Sequence, residues 1–219
     1  MTYVATLAEL NAHNQFYYNA TTGDIVLSMA SFSPVAVVVD SVVHWNGASA
    51  TAFAGGTGTE ADPYLIANAD QLAYFRDLVD GGRTFENEYV KLTGNIFLNH
   101  ESEFVNLFDP IGWGYSYTGY NSNNAEGKVF KGTFDGDMYS IHGLWQNGWD
   151  LEAKTGTDYT YTNCGGGLFA SVENATIKNL TMIDAIIVYE CVEIEIVSGL
   201  AQGNCVFENI NVYDSKIAN

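Results

Sequence analysis

The sequence predicts a mainly β protein whose short strands stack as the coils of a β-solenoid. Val, Ile, Thr, Tyr and Phe are abundant, and 22 Gly separate short apolar stretches with turns. These two observations leave a sandwich, a barrel and a solenoid open. A third observation decides among them, because the C-terminal third repeats at a fixed period, as expected when each repeat forms one coil.

Residues 1–53 are predicted to form an N-terminal capping segment with one helix and strands. Thr6 and Glu9 have the spacing of a capping box, which indicates a helix from Thr6 to about Asn14. The apolar triplet at 25–27 follows as a strand.

A second helix is predicted over residues 69–79. Asn68 can cap its N-terminus, Gln71 stands three residues later, and the Gly81-Gly82 pair is a stop signal. One apolar stripe runs along it, made of Leu72, Phe75, Leu78 and Val79. We expect this stripe to cover the first coils, since the open end of a solenoid is an unpaired strand edge. A strand at 89–92 follows.

The C-terminal third contains the same pattern twice, offset by 30 residues from 175–187 to 205–217. Apolar positions recur as apolar residues, and the turn residues Asn179 and Asp184 recur as Asn209 and Asp214. Residues 130–144 have the pattern of an earlier coil. Ile177 is expected to stack over Phe207 in a core that contains Ile177, Leu180, Met182, Phe207, Ile210 and Val212.

The order of several segments resembles the β-helix region of large bacterial surface proteins, the adhesin-like proteins with GLUG-type repeats. The segments are 45–47, 53–66, the capped helix, 89–98, 110–112, 130–144 and the Gly-Leu-Phe at 167–169. The resemblance covers roughly residues 45–219. It implies a right-handed parallel β-helix with a helix-containing N-terminal cap, an extracellular place on the cell surface, and no catalytic residues. It also implies a longer polypeptide, in which the β-helix of 54–219 is truncated here at its C-terminus.

Charge and hydropathy exclude several partners. The chain has 26 Asp and Glu against 8 Lys and Arg, a net charge of -18, which excludes binding to a nucleic acid backbone. Membrane insertion is not expected, because the longest apolar run, 35–43, is interrupted at Asp40 and Ser41. Residues 1–10 lack the basic and apolar regions of a signal peptide.

No catalytic residue, metal site or cofactor is predicted. The acids Asp135 and Asp137 have no arginine nearby in the sequence, and both read as turn residues. His100-Glu101 begins like a zinc-protease motif, but Phe104 stands where the second histidine is required. The cysteines, whose disulfide state is left open, are Cys164, Cys191 and Cys205.

The predicted ligand-binding residues are aromatic. They lie in a long polar stretch at 113–128 and are Trp113, Tyr115, Tyr117 and Tyr120. A second aromatic stretch follows at 145–163. Exposed rings on loops stack on sugar rings or anchor a protein partner, so we expect a neutral glycan or a host surface protein. The favoured function is a non-catalytic structural and adhesive module. The alternatives are a polysaccharide lyase or hydrolase on a β-helix and a phage tail-spike fragment.

Overall fold

The computed structural model describes residues 2–3, 7–9, 15–18, 25–28, 42–100, 103–112, 116–118, 128–148, 151–152, 160–162, 166–189 and 194–218. The chain forms two compact units, Met1–Ser41 and Val42–Asn219. The sequence-based boundary after residue 53 lies inside the second unit. Trp45 explains the difference, because its side chain is 5% exposed and belongs to the core of that unit.

The first unit contains three strands, β1 (Thr2–Tyr3), β2 (Gln15–Tyr18) and β3 (Ile25–Ser28). Strand β1 runs parallel to β2, and β2 runs antiparallel to β3. The strand predicted at 25–27 is confirmed as β3. Of the helix predicted from Thr6 to Asn14, the structure describes Leu7–Glu9, which forms a short 3-10 helix.

The predicted helix of the second unit is confirmed as α1 (Ala69–Asp80). The side-chain oxygen of Asn68 accepts a hydrogen bond from the backbone N–H of Gln71 at 3.0 Å. The Gln71 side chain in turn accepts from the backbone N–H of Ala67 at 2.8 Å. The first bond satisfies a donor that the first helical turn leaves without a partner, and the second fixes the residue that precedes the cap. The helix ends at Gly81, and Gly82 follows with a φ of +98°.

One face of α1 is buried in the core. Leu72, Phe75 and Val79 are fully buried, and Leu78 is half-buried beside them. The Phe75 ring contacts four aromatic rings that come from later in the chain: Phe85, Phe130, Phe134 and Phe169. The apolar stripe read from the sequence is therefore the face that packs against the strands.

The other strands of the second unit are short. In chain order they are β4 (Tyr64–Ile66), β5 (Tyr89–Leu92), β6 (Ile96–Phe97), β7 (Ser116–Thr118), β8 (Thr133–Asp135), β9 (Ser140–His142), β10 (Trp145–Gly148), β11 (Leu151–Glu152), β12 (Thr160–Thr162), β13 (Phe169–Glu173), β14 (Thr176–Ile183), β15 (Ile186–Tyr189), β16 (Ser198–Gln202), β17 (Val206–Tyr213) and β18 (Lys216–Ala218).

Parallel pairing dominates these strands. The largest sheet has the order β4-β5-β8-β14-β9-β6, with β17 also paired to β14, and all its pairs are parallel. Strand β14 is long enough to pair with both β8 and β9 along one edge. Strands β10, β15 and β18 form a second parallel sheet, and β13 pairs in parallel with β16. The fold is therefore mainly β and built largely from parallel strands.

The predicted 30-residue register is confirmed. Ile177 pairs with Phe207, Leu180 with Ile210 and Met182 with Val212. The earlier segment 130–144 joins the same stack, since β8 and β9 align with β14. Parallel strands cannot be joined by a tight hairpin, so each pairing requires the intervening chain to travel around and return.

Turn residues that recur in the sequence also stack in space. Asn179 and Asn209 adopt φ values of 53° and 52°, in the left-handed region that asparagine tolerates well. The Asn209 amide donates to the Asn179 side-chain oxygen at 3.1 Å, and the Asn179 amide donates to Asp135 at 3.0 Å. We call these three residues the asparagine ladder. It joins the corners of three successive strand segments.

The predicted core is only partly correct. Ile177, Leu180 and Met182 are fully buried, as expected. Phe207 and Val212, however, are each 43% exposed, and Ile210 is half-buried. Among the described residues, β17 pairs with β14 and no strand pairs with its other edge. The apolar side chains of β17 that follow the core pattern are therefore covered on one side alone.

Candidate functional site

The four predicted ligand-binding residues fall largely outside the described part of the chain. Trp113, Tyr115 and Tyr120 lie outside the described residues, and of Tyr117 the backbone alone is described. Tyr117 is the middle residue of β7, which pairs antiparallel with β12 and aligns Tyr117 with Tyr161. Strand β12 pairs in turn with β11. The two aromatic stretches, 113–128 and 145–163, therefore meet in one small antiparallel sheet.

A pocket of about 220 Å³ is lined by residues from four separate parts of the sequence. Its walls are formed by Val42, His44, Phe97, Asn99, His100, His142 and Asp184. Three of the four histidines of the protein are among them. We call this the histidine pocket. Read along the sequence, each of these histidines is isolated, and no motif spacing connects them.

Strand register creates the histidine pocket. Phe97 on β6 pairs with His142 on β9, and their rings stack with centroids 4.5 Å apart. Asp184 follows the end of β14, which pairs with β9. His44 is held close because the neighbouring Trp45 N–H donates to the Phe97 carbonyl at 2.9 Å. The His44 ring lies 5.4 Å from the His100 ring.

Asn99 lines one side of the pocket, and its side chain forms hydrogen bonds to the backbone. Its amide nitrogen donates to the carbonyls of Asn106 and Gly143, both at 2.8 Å. Its side-chain oxygen accepts from the backbone N–H groups of Val105 and Asn106 at 3.0 and 2.9 Å. With four hydrogen bonds, the Asn99 amide has its usual bonding capacity filled. These bonds hold Val105, Asn106 and Gly143 beside Asn99.

Ser140, His142 and Asp184 have the residue types of a nucleophilic triad, and the Ser140 hydroxyl contacts both His142 and Asn95. The Ser140 hydroxyl donates to the Asn95 side-chain oxygen at 3.1 Å, and that oxygen also accepts the Ser140 backbone N–H. The His142 Nε2 lies 2.7 Å from the Ser140 oxygen, and the tautomer of the His142 ring decides which of the two atoms donates. In a nucleophilic triad the histidine accepts the serine proton, whereas here the Asn95 oxygen is a second acceptor for the Ser140 hydroxyl.

The histidine pocket favours an uncharged His142. Burial lowers the pKa of the His142 imidazole, the Asp184 carboxylate opposes that shift, and the neighbouring His44 adds to it. Among the described residues, no group of three or more His, Cys, Asp or Glu is arranged to hold a metal ion. The pocket therefore combines a His142 imidazole whose neutral form is favoured with the Asp184 carboxylate and the Phe97 ring.

A second cluster lies along the outward face of the parallel stack. The register aligns Lys91, Asp135, Lys178 and Glu208, so that opposite charges alternate from strand to strand. Lys178 lies 3.4 Å from Asp135, and Lys91 lies 3.0 Å from Asp137. We call the four aligned residues the charge ladder.

The charge ladder holds the Asp135 carboxyl in its charged form. Burial alone would raise the pKa of the Asp135 carboxyl. Hydrogen bonds from Asn179 and from the backbone N–H of Asp137, together with the Lys178 ammonium, outweigh it and lower this pKa. A general acid needs a raised pKa so that it holds a proton at neutral pH. Asp137 has a φ of 48° and its N–H donates to Asp135, as predicted for a turn pair.

Comparisons with known proteins give one similarity. The chain is 30% identical over 156 residues to a protein of Evansella cellulosilytica described as "Putative Gly-rich membrane protein". The match includes 70% of this chain but spans only 15% of that protein's length. No family model and no solved structure matches the chain. Within the described residues, no helix has the length and apolar character needed to span a membrane.

Proposed function

We propose that the protein is a non-catalytic structural and adhesive module of a bacterial cell-surface protein. In this proposal the second unit is a right-handed parallel β-helix of the kind that carries GLUG-type repeats. The coils form a rigid stalk, and the aromatic stretches at 113–128 and 145–163 supply the binding surface. The rest of a longer polypeptide would anchor the module outside the cell.

One observation carries the architectural part of the proposal. Strands β5, β8, β14 and β17 follow one another in a single parallel stack, with Val90, Phe134, Ile177 and Phe207 aligned. Stacked coils of this kind contact only their neighbours and make an extended, stiff rod. A rod that keeps a binding surface at a distance is what a surface stalk requires. The similar Evansella protein, which bears a membrane-protein name and is much longer, is compatible with this role.

The net charge of the chain and the pairing of β7 with β12 indicate which class of ligand is favoured. A net charge of -18 repels acidic polymers at low ionic strength, so a neutral glycan or a host surface protein is the favoured partner. The pairing of β7 with β12 brings residues 116–118 beside 160–162, and each segment carries a tyrosine. Tyrosine rings bind by stacking and hydrogen bonding and do not need charge.

The binding proposal is tested with a panel of neutral glycans, heparin-like glycans and host surface proteins. The test variant combines Trp113→Ala with Tyr117→Ala. The control is Tyr213→Ala, because Tyr213 is 54% exposed but lies on the last coil. We expect binding to a neutral ligand that the double variant loses and the control retains. Binding that survives the double variant would contradict the assigned surface, and preferential binding to heparin would contradict the charge argument.

The non-catalytic part of the proposal has its own test. The alternative is a polysaccharide lyase or hydrolase, for which Asp135 and Asp137, each paired with a lysine, are the candidate acids. Acidic and neutral polysaccharides are incubated with the protein and with Asp135→Asn, and product is measured. We expect no turnover by either. Turnover that Asp135→Asn abolishes would overturn the non-catalytic assignment.

A further inference from the structure

We propose that the exposed end of the parallel stack is a docking surface for one further coil of the same 30-residue pattern, added in parallel register. The end surface consists of exposed apolar residues of β17 and β18: Val206, Phe207, Val212, Tyr213 and Ile217. The inference rests on the stacked-coil architecture proposed above and adds what that stalk binds at its end.

A pair of equivalent isoleucines shows why this surface is a binding surface. Ile187 and Ile217 are partners in the β15–β18 pairing and occupy the same position in successive coils. Ile187 is fully buried, whereas Ile217 is 45% exposed. Both residues are isoleucines at equivalent positions of paired strands. The difference in exposure therefore comes from the next coil, which covers Ile187. Exposed apolar residues that lie together on two neighbouring strands, as these do, are typical of an interaction site.

The asparagine ladder adds a polar requirement for the occupant. Each asparagine donates to the preceding member, from Asn209 to Asn179 and from Asn179 to Asp135. The next member is therefore a residue that can adopt a left-handed φ and donate to the Asn209 side-chain oxygen. Asparagine meets both requirements.

The charge ladder adds an electrostatic requirement. Its signs alternate from Lys91 through Asp135 and Lys178 to Glu208. A lysine or arginine in the next coil, aligned with Glu208, continues the alternation. An acidic residue there would place like charges directly opposite each other, which destabilises neighbouring strands. The occupant thus has apolar inward residues, an asparagine at the corner and a basic residue beside Glu208.

A second copy of the chain fits this surface less well. Head-to-tail stacking would need a free edge at β4, but Leu65 in the middle of that strand already accepts a backbone hydrogen bond from Ala54 and donates one to Gly55. End-to-end pairing about a two-fold axis would run the strands antiparallel and break the in-register ladders. It would also bring together two chains that each carry a charge of -18. The similar Evansella protein extends far beyond its matched region, which leaves room for further coils there.

The test extends the full chain by one coil. Residues 190–219 are duplicated after Asn219, with the copy of Glu208 changed to lysine in one version and left as glutamate in another. A third version appends the same 30 residues in scrambled order. The readouts are the urea midpoint of unfolding, the fluorescence of an apolar dye that binds exposed hydrophobic surface, and the effect of Ile217→Ala in each chain.

If a coil docks, the lysine version has the highest urea midpoint and the lowest dye fluorescence. Ile217→Ala then lowers the midpoint at least about two-fold more in the lysine version than in the original chain, because Ile217 has become buried. Ordered versions that behave like the scrambled version would overturn the proposal. So would a stable dimer of the original chain in sedimentation equilibrium that Phe207→Asp dissociates, since the occupant would then be a second copy. Neither outcome depends on glycan binding, so failure here and failure of the adhesive function remain distinguishable.

Discussion

Phe75 is the residue at which the packing of helix α1 on the parallel strands is best tested. Its side chain is fully buried, and its ring contacts four others, with centroids at 5.0 Å (Phe85), 5.4 Å (Phe130), 5.9 Å (Phe134) and 6.3 Å (Phe169). These rings come from separate parts of the chain. Phe75 therefore joins the helix to several segments at once, and we expect its removal to destabilise the whole second unit.

The expected cost of Phe75→Ala follows from this environment. Removing a fully buried phenylalanine costs about 3–5 kcal/mol, which includes the cavity that remains. The favourable ring pairs, each about 0.5–1.5 kcal/mol, place Phe75 towards the upper end of that range. Alanine recovers about 0.5 kcal/mol through its higher helix propensity. We therefore expect a net loss of about 4 kcal/mol, and about 1–2 kcal/mol for Phe75→Leu, which fills most of the volume.

The assay is equilibrium unfolding in urea, followed by far-ultraviolet circular dichroism and by tryptophan fluorescence. Asp77→Ala is the matched control, because Asp77 lies on the exposed side of the same helix, in an ion pair with Arg76. The Asp77 side chain is 45% exposed, so the loss of its ion pair with the more buried Arg76 should cost about 1 kcal/mol. A loss for Phe75→Ala no larger than that of Asp77→Ala would refute the packing argument. An intact circular dichroism spectrum in both variants ensures that folded proteins are compared.

Three further predictions concern the stack and the histidine pocket. In the same urea assay, Ile187→Ala should lower the free energy of unfolding by about 2–5 kcal/mol and Ile217→Ala by about 1 kcal/mol. The two positions are equivalent, but Ile187 is buried and Ile217 is 45% exposed. Equal losses would contradict this prediction. Asn179→Ala should cost about 2 kcal/mol, and Asn179→Gly about half as much, since glycine tolerates the left-handed φ of 53° and loses only the ladder bonds. The pKa of His142 is lower in the folded protein than in the unfolded chain, so the unfolded state binds more protons and stability should fall as the pH drops below about 6.5. His142→Gln should reduce this loss between pH 7 and pH 5, and an unchanged pH profile would argue against the assignment.

Local signals in the sequence were sufficient to predict helix α1 and the register between β14 and β17. The capping bond between Asn68 and Gln71 involves residues three apart, so the start of α1 can be read directly. The pairing of Ile177 with Phe207 follows from a repeat in which apolar and turn residues recur together. A shift of one residue would turn every side chain to the opposite face, so the pattern specifies a single register.

Tertiary structure decided which of the patterned residues are buried. Phe207 and Val212 repeat the pattern of Ile177 and Met182, yet each is 43% exposed. Burial depends on which segment lies above a side chain, and that information is absent from the residue itself. The predicted aromatic site shows a related limit. Its tyrosines could be found in the sequence, but the pairing of β7 with β12 could not.

The histidine pocket depends entirely on the tertiary structure. His44, His100 and His142 are more than 40 residues apart from one another and share no motif, so nothing local connects them. They meet because β6 pairs with β9 and because a backbone bond from Trp45 holds the preceding segment against Phe97. Composition and periodicity indicated a mainly β protein in which the strands of the C-terminal repeats pair in parallel. Long-range backbone pairing, whose partners no local pattern encodes, decided which polar side chains share a pocket and which apolar ones remain exposed.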